Sequence, residues 1–428
     1  MNTMHPIGFD DACALVAQSL CAPLGKEQVF LHDAHHRVLA EDIFAPDSMP
    51  NEARAMMDGY LLQASLIDAI QSRDSIDETF VFSLAKVPLR AAQSQIPLES
   101  TEAHKIFTGA PIPQGDYIIL LLEDCSEQDG KLCVPRAILA AAKRGQYVRE
   151  KGENYNKGDK LLSHGIVLTA AEIGLLAHLN LVFVPVFVQP KVAILCGGDE
   201  LVDLGEAPQG EHFVRSINNH FLAMLVREAG GIPLLFPLLH DKQESIMATF
   251  LEALKSADMI LFSGGMSVGD FDFVPHVLTQ ESDSLLFYGV RVKPGKPAAV
   301  AFKNGVPLCG LGGFPNSSFI AFHFFARPLL ASLAGARFSP LQLCATLTED
   351  LSKNENRTEW RSCALWAEKG QLYVGRGNRG KIHSAAINHL CGHSGFVRID
   401  EQTSILHKGS IVTTLIPTFS NIEIRQTQ

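Results

Sequence analysis

Residues 259–274 read Met-Ile-Leu-Phe-Ser-Gly-Gly-Met-Ser-Val-Gly-Asp-Phe-Asp-Phe-Val, an apolar run that ends in glycine, serine and two aspartates. We predict a buried parallel strand over 259–262, a tight loop over 263–269 and a helix from 272 onward. A glycine-rich loop that leads into a helix offers backbone N–H groups to an anion. The stretch therefore predicts an α/β sheet with a phosphate-binding loop at its edge, with a plain strand-turn-helix connection as the alternative.

Two carboxylates stand at the end of this loop. Asp270 and Asp272 would repel a phosphate unless a divalent cation lay between them. The loop therefore suggests a ligand that combines phosphate with a metal ion.

From residue 191 the chain alternates buried strands with amphipathic helices, which is typical of an α/β domain with a parallel or mixed sheet. The predicted strands are 191–196, 232–239, 258–263, 285–292, 297–302 and 306–311. The predicted helices are 216–229, 242–256, 272–280 and 317–334. Right-handed crossovers bring the carboxyl ends of parallel strands to one edge of the sheet, where open α/β folds bind ligands.

Three loops are predicted to converge at that edge. They follow the first, third and last strands, at 197–200, 263–272 and 311–317. Lys293 and Lys296 stand nearby in a Lys-Pro-Gly-Lys-Pro turn, whose prolines reduce the entropy lost when the ammonium groups are fixed against an anion. The sequence therefore predicts an anion site made of loop backbone and two lysines, with a polar surface turn as the alternative.

The rest of the chain predicts mainly β structure. Residues 56–125 alternate short strands with turns and form a small β-rich module, and 339–428 has the short strands of a separate β-barrel or sandwich. The polar, glycine-rich segment 148–159 is predicted as an exposed crossing between units. Apolar residues on one face predict a helix over 9–24.

Length and composition set the class of protein. A chain of 428 residues is too long to fold around one hydrophobic core, so the length predicts two to four domains. A formal net charge of −10 argues against a general binder of nucleic acid or anionic membranes, because both need a broad basic field. We expect a cytoplasmic protein, since no apolar run reaches the about 18 residues that span a bilayer and no signal peptide is evident. Nine cysteines without a C-x-x-C pair indicate reduced thiols rather than a disulfide framework or zinc site.

Five motifs, in this order along the chain, resemble the molybdopterin molybdenumtransferase family, the MoeA proteins and the related E domain of gephyrin. They are Met57-Asp58-Gly59-Tyr60, Thr108-Gly109-Ala110-Pro111, Gly198-Asp199-Glu200-Leu201, Ser263-Gly264-Gly265 to Val268-Gly269-Asp270, and Lys293-Pro294-Gly295-Lys296-Pro297. The resemblance covers nearly the whole chain. It implies four domains, which are a linker domain (26–45 and 156–189), a β-rich module (46–155), an α/β molybdopterin-binding domain (6–25 and 190–338) and a C-terminal β-barrel (339–428).

The resemblance also implies an activity. The family inserts molybdate into adenylylated molybdopterin and releases AMP and molybdenum cofactor, with help from a divalent cation such as Mg²⁺. It further implies a homodimer in which the α/β domain of one subunit and the β-rich module of the other share an active site.

Carried onto this chain, the resemblance assigns three groups of residues. The catalytic group is Asp58, Thr108, Glu200, Lys293 and Lys296, of which Asp58 and Thr108 are supplied by the partner subunit. The group that binds the pterin nucleotide is Ser263, Gly264, Gly265, Ser267, Gly313, Pro315 and Ser317. The metal-binding group is Asp199, Glu200, Asp270 and Asp272.

Several ligand-facing loops depart from the family pattern. The altered positions are Arg54, Ala55, Asn154, Gly197, Ser216, Gly312 and Phe314. Two carboxylates are lost, which would weaken the placement of metal or molybdate by about a few kcal/mol and slow turnover by orders of magnitude. A degenerate homologue that binds a pterin phosphate or a protein partner without turnover is therefore the alternative to a working enzyme, and a scaffold protein is the third reading.

Overall fold

The computed structural model describes residues 5–71, 79–91, 102–207, 210, 212–240, 243–266, 274–376, 385–392, 394–417 and 423–425. The chain divides into two compact units. The first unit comprises Met1–Glu41 and His164–Gln428, and the second comprises Asp42–Ser163. The four-domain division implied by the sequence remains a prediction.

A six-stranded mixed sheet organises the first unit. Its strands, in spatial order, are Ile232–Leu235, Lys191–Cys196, Met259–Ser263, Val306–Leu311, Ala299–Lys303 and Ser284–Tyr288. The first four strands are parallel, Ala299–Lys303 pairs antiparallel with Val306–Leu311, and Ser284–Tyr288 pairs antiparallel with Ala299–Lys303. This confirms the predicted α/β sheet and places the carboxyl ends of the parallel strands at one edge.

Helices cover both faces of this sheet. Val192 lies in a core shared with the helix residue Leu222. Its neighbour Ala193 lies in a second core shared with the helix residue Phe250, because side chains alternate along a strand. The strand Met259–Ser263 is buried along its whole length because both faces of the sheet are covered.

The helices of the first unit are mostly short. They are Phe9–Gln18, Ala170–His178, Asn218–Glu228, Gln243–Ser256, Val274–His276, Pro315–Ala321 and Arg327–Leu333, with 3₁₀ or π segments at Leu31–Ala34, Val277–Glu281, Phe322–Ala326 and Ile387–Leu390. Among the described residues, no helix is both long enough and apolar enough to cross a membrane.

The helix Phe9–Gln18 packs on the α/β sheet domain, which is distant from it along the chain. The ring centroid of Phe9 lies 5.0 Å from that of Phe324. The sequence predicts a helix over 9–24, but the helix ends sooner. Beyond it, the backbone N–H of Cys21 donates to Ser332 Oγ at 3.0 Å. A hydrogen bond to a distant helix there takes the place of one within the predicted helix.

The C-terminal strands close into a five-stranded barrel, which confirms the predicted β-barrel. In order around the barrel they are Thr358–Glu368, Gln371–Gly375, Gln342–Leu347, Ile411–Leu415 and Ser394–Ile399, and the last pairs back with the first. Strands Ile7–Gly8, Val290–Lys293 and Glu423–Arg425 extend this sheet. Separate two-stranded ladders pair Leu351–Ser352 with Ile405–Leu406, Leu201–Val202 with Val214–Arg215, and Lys26–Phe30 with Phe183–Phe187.

One predicted strand, 285–292, is two strands in the structure, Ser284–Tyr288 and Val290–Lys293. Gly289 separates them with a φ of +84°, which L-residues with a side chain rarely adopt. The first piece completes the α/β sheet and the second pairs with the barrel strand Thr358–Glu368. A single apolar run thus serves two sheets, and it leads directly into the lysine turn.

The second unit is built on a six-stranded sheet. Its strands, in spatial order, are Tyr117–Leu121, Gly59–Gln63, Glu102–Ile106, Thr79–Leu84, Lys131–Pro135 and Ser126–Gln128. Its helical segments are Ala64–Gln71, Leu122–Asp124 and Arg136–Ala141, and two ladders pair Ile43–Phe44 with Lys160–Leu162 and Arg54–Ala55 with Val148–Arg149. Tyr60 and Leu62 face one core of this unit and Leu61 faces another.

Candidate active site

Three loops meet at the carboxyl edge of the α/β sheet, as the sequence predicts. The backbone N–H of Gly197 donates to the carbonyl of Ser263 at 3.0 Å, which joins the first loop to the second. A Cβ atom built on Gly313 would lie 3.7 Å from Gly264 Cα, so the last loop is packed against the second. The strand order alone creates this meeting point, because the three strands are adjacent and parallel.

Gly264 determines the shape of the second loop. Its φ is +84°, and a Cβ at this position would lie 2.2 Å from the carbonyl oxygen of Gly197. The neighbouring Gly265 also has a positive φ, of +58°. Both residues are half-buried, which leaves their backbone close to the surface of the edge. The following segment, which contains the predicted ligands Ser267, Asp270 and Asp272, lies outside the described residues.

A buried amide joins these loops. Asn218, the first residue of the helix Asn218–Glu228, is 8% exposed. Its Nδ2 donates to Ser263 Oγ at 2.8 Å and to the carbonyl of Gly313 at 2.8 Å, and lies 3.1 Å from Ser318 Oγ. Its Oδ1 is buried without a hydrogen-bond partner among the described residues, an arrangement that costs about 1–3 kcal/mol.

Two serine hydroxyls complete this network. Ser318 Oγ donates to the carbonyl of Gly312, and Ser263 Oγ lies 3.3 Å from the same oxygen. Ser263 is only 2% exposed, so its hydroxyl bonds within the protein. Of the predicted pterin-binding residues, Ser317 and Pro315 are also buried, whereas Gly313 is exposed. The predicted pterin-binding residues that the structure describes therefore expose mainly backbone at this edge.

Sequence-based assignment omits Asn218 and Ser318. Each residue lies in the first turn of a helix that follows a loop. A polar residue at that place in the sequence is a signal that its side chain bonds to the loop before the helix. Their partners cannot be read from that signal, because Asn218 is separated from Ser263 by 45 residues and from Ser318 by 100.

The two predicted lysines lie on a turn beside the last loop. The N–H of Val290 donates to the carbonyl of Lys296 at 2.9 Å, which closes the turn. A Cβ on Gly312 would lie 3.6 Å from Pro297 Cγ, so the turn and the last loop are neighbours. Lys293 and Lys296 are exposed, and neither forms an ion pair with a residue of the described part of the chain. Their positive charge is therefore available to an anion.

A polar cavity of about 200 Å³ opens beside Lys293. It is lined by charged and amide or hydroxyl side chains, namely Ser352, Lys353, Asn354, Glu355, Arg357, Glu359 and Arg361. The two arginines are paired with carboxylates of the same wall, each at 2.7 Å. Lys293 therefore contributes unpaired charge to a wall whose arginine charges are already paired.

The predicted metal ligands of the first loop are exposed. Asp199 Oδ1 lies 3.4 Å from Nδ1 of His240, and Glu200 follows it in a turn closed by the Leu201 N–H on Gly198. Within the described ranges, no three side chains of histidine, cysteine, aspartate or glutamate cluster as a metal site. Asp199 and Glu200 supply oxygen ligands of the kind that Mg²⁺ prefers, but on their own they do not form a complete site.

In the second unit, strand pairing brings Asp58 and Thr108 together. Asp58 Oδ1 accepts hydrogen bonds from the backbone N–H and the hydroxyl of Thr108, both at 2.7 Å. These bonds, the backbone bond first, hold the pKa of the Asp58 carboxyl below its ordinary value. The side chain is fully exposed, so it presents a fixed carboxylate to solvent.

Some altered loop positions have partners within the fold. Arg54 Nη1 donates to the carbonyl of Gly109 at 2.8 Å and so supports the turn that carries Thr108. Ser216 Oγ donates to the amide oxygen of its neighbour Asn219 at 2.9 Å. Asn154 Oδ1 accepts a hydrogen bond from Arg149. Phe314, by contrast, is 56% exposed next to the last loop.

Comparison with known proteins gives consistent matches over most of the chain. Two family models match, the MoeA N-terminal region (domain I and II) over residues 7–180 and the probable molybdopterin binding domain over residues 193–332. The chain is 32% identical over 372 residues to a molybdopterin molybdenumtransferase of Nostoc sp., covering 86% of this chain and 81% of that protein. It is 29% identical over 411 residues to a molybdopterin molybdenumtransferase of Haemophilus influenzae, covering 95% and 97%.

A solved structure agrees with these matches. The molybdopterin biosynthesis MoeA protein from Pyrococcus horikoshii OT3 superimposes with a TM-score of 0.79 at 26% sequence identity. The alignment covers 96% of this chain and 100% of that chain. The fold described above is thus shared along nearly the whole length.

Proposed function

Because the chain belongs to the molybdopterin molybdenumtransferase family of MoeA proteins, we propose that it inserts molybdate into adenylylated molybdopterin and releases AMP. It is a transferase of molybdenum cofactor biosynthesis. The observation that carries the proposal is the edge of the α/β sheet, where three loops converge beside two exposed lysines without ion pairs among the described residues.

The loop backbone would bind the phosphate groups of the substrate. N–H groups of a glycine-rich loop bind anions well, because several backbone donors point at the ligand and none of them is a charged side chain that must first lose its own hydration. Gly264, Gly265 and Gly313 leave the backbone accessible at this edge. We assign to them the positioning of the pterin nucleotide.

The lysines would stabilise charge during release of AMP. Water adds to the adenylyl phosphorus as its bond to the molybdopterin phosphate oxygen breaks, so AMP gains the oxygen of water and the departing molybdopterin phosphate carries the negative charge. Fixed cations near that phosphate lower the barrier because they need little reorganisation as the charge develops. Lys293 and Lys296 also suit molybdate, which is itself a tetrahedral dianion.

The proposal includes a homodimer. The family resemblance supplies Asp58 and Thr108 from a second copy, and the lowered pKa of Asp58 favours a carboxylate that is ionised at neutral pH. Its role would be to orient the incoming oxyanion or water by hydrogen bonding rather than to bind phosphate.

Two further features remain part of the proposal. Mg²⁺ would be the accompanying cation, with Asp199 and Glu200 as oxygen ligands together with Asp270 and Asp272. A cytoplasmic location fits an enzyme that uses a soluble pterin nucleotide.

The described departures do not favour a silent binding protein. Arg54 makes a hydrogen bond at 2.8 Å within the second unit and Ser216 makes one at 2.9 Å within the first, so each altered side chain is integrated into the fold of its own unit. A working site is compatible with both substitutions.

Release of AMP tests the proposal. Purified protein is incubated with adenylylated molybdopterin, molybdate and Mg²⁺, and AMP is separated by chromatography and quantified. We expect release that depends on molybdate, and a loss of at least about a hundredfold in Lys296→Ala, because a fixed charge that stabilises the transition state is removed. Wild-type protein without AMP release would show that the chain is not a molybdenumtransferase.

A further inference from the structure

One side chain connects the segments that form the proposed phosphate-binding surface. Asn218 reaches the end of one strand through Ser263, the last loop through Gly313 and the following helix through Ser318. These partners lie 45, 95 and 100 residues away along the chain. No local hydrogen bond could hold three such distant segments together.

The orientation of the amide is fixed by its partners. The carbonyl of Gly313 can only accept, so the NH₂ group of Asn218 must face it at 2.8 Å. A flipped amide would place two acceptor oxygens against each other. The hydroxyls of Ser263 and Ser318 can turn their hydrogens toward the carbonyl of Gly312, which leaves their lone pairs facing the amide, whose two hydrogens are shared among Gly313 and the two hydroxyls.

The hydrogen-bond directions therefore run from the amide of Asn218 through two hydroxyls to Gly312, and directly to Gly313. Apart from the unpartnered Oδ1 of Asn218, each donor in this set is oriented by the acceptor that follows it, which rigidifies a polar network in a low-dielectric interior. Gly264 lies against Gly313, so the second loop is held by the same network. A loop that binds an anion through backbone N–H groups needs that rigidity, because its affinity depends on their alignment.

We propose that Asn218 is a positioning residue that sets residues 263–265 and the loop at Gly312 and Gly313 for the phosphate groups of the pterin nucleotide. This assignment deepens the proposed function and rests on it. Asn218 acts through Ser263, Ser318 and Gly313, and its effect is on substrate binding.

The test compares three variants in steady-state kinetics with adenylylated molybdopterin. Asn218→Leu removes the amide donors without adding charge, and Ser318→Ala removes one hydroxyl of the network. Ser332→Ala is the matched control, since it removes a buried hydroxyl that bonds Cys21 and Leu329 elsewhere in the first unit. Melting temperatures are measured for all three.

We expect KM to rise about tenfold to a hundredfold in Asn218→Leu with kcat within about threefold of wild type, since loss of ground-state alignment acts on binding. Ser318→Ala should show a smaller rise of about threefold or more. Ser332→Ala should change the melting temperature without changing KM. An Asn218→Leu enzyme with wild-type KM, whatever its melting temperature, would overturn the proposal. Should Asn218→Leu not fold, a wild-type KM in Ser318→Ala would overturn it instead.

Amide hydrogen exchange separates this inference from the proposed function. If wild-type protein releases no AMP, the function is wrong, and exchange still tests the network. Faster exchange in Asn218→Leu confined to 259–266 and 311–318 would support positioning by Asn218. Exchange in those segments at the wild-type rate would overturn it.

Discussion

Gly264→Ala tests the geometry of the second loop most sharply. The added Cβ would lie 2.2 Å from the carbonyl oxygen of Gly197, about 1.2 Å closer than the 3.4 Å at which ordinary contacts begin. The atom it meets is backbone, so it cannot move aside as a flexible side chain would. Alanine would also be held at a φ of +84°, a left-handed conformation that costs about 1–2 kcal/mol.

The clash adds to that strain. Overpacking of a well-packed site costs about 1–3 kcal/mol, so the total is about 2–5 kcal/mol. Gly305→Ala is the matched control. Gly305 has a φ of +79°, and a Cβ atom built on it would have no neighbouring heavy atom within 4 Å. The control therefore carries the backbone strain alone.

Thermal unfolding followed by calorimetry measures the difference. At about 2–4 °C per kcal/mol for domains of about 150–250 residues, Gly264→Ala should melt about 2–12 °C below Gly305→Ala. Its KM for adenylylated molybdopterin should also rise, since the loop must move away from Gly197. Equal melting temperatures for the two variants would refute the argument that Gly264 is required by contact with Gly197.

Three other perturbations follow from named contacts. Thr108→Val removes one hydrogen bond to Asp58 and should raise the pKa of its carboxyl toward the ordinary value of 3.8, measured by carboxyl-carbon NMR titration. Because the pKa of Asp58 is lowered in the fold, its stabilising effect is present above that ordinary value and is lost as pH falls through the lowered pKa. Arg54→Ala should loosen the turn at Gly109 by about 1 kcal/mol and speed hydrogen exchange there, whereas unchanged exchange would contradict this. Burial, with a smaller effect of a nearby arginine, lowers the pKa of His323 to about 3. Between about pH 6.5 and pH 3 the unfolded chain binds a proton at this histidine that the folded protein does not bind. The free energy of unfolding should therefore fall as the pH drops through this range. His323→Phe should flatten that dependence in pH-dependent unfolding, and an unaltered slope would contradict it.

The sheet was predictable because a strand that is buried on both faces has a continuous run of apolar residues in the sequence. Met259–Ser263 is a strand buried on both faces, and such strands read as continuous apolar runs. The convergence of the loops was predicted from right-handed crossovers, a general rule that brings the carboxyl ends of parallel strands to one edge. Gly264 and the two lysines were predicted from local motifs, namely the glycine-rich loop and the Lys-Pro-Gly-Lys-Pro turn.

Features that depend on tertiary partners were not predictable in this way. The helix expected over 9–24 ends at Gln18, and the following segment is held by Ser332 and by a hydrogen bond from Leu24 to Leu333. Local periodicity has no information about such distant acceptors. The break at Gly289 was missed for a related reason, since the apolar pattern continues across it while the two halves join different sheets.

The candidate site shows the same division. Its lysines and glycines were assigned from local motifs, but Asn218 acquires its importance only when Ser263 and Gly313 are brought to it by the fold. The buried state of Ser263 was likewise outside what a Ser-Gly-Gly motif reveals. Sequence motifs therefore predicted which residues form the candidate site, and packing determines which of their atoms are exposed.

Growth rescue tests the central claim most directly. The gene is expressed in a strain that lacks its own molybdenumtransferase, and the activity of a molybdenum-dependent enzyme is measured at matched protein levels. The account predicts that wild-type protein restores this activity and that Lys296→Ala does not. A folded, well-expressed wild-type protein that restores no activity would contradict the assignment of molybdenumtransferase function to this chain.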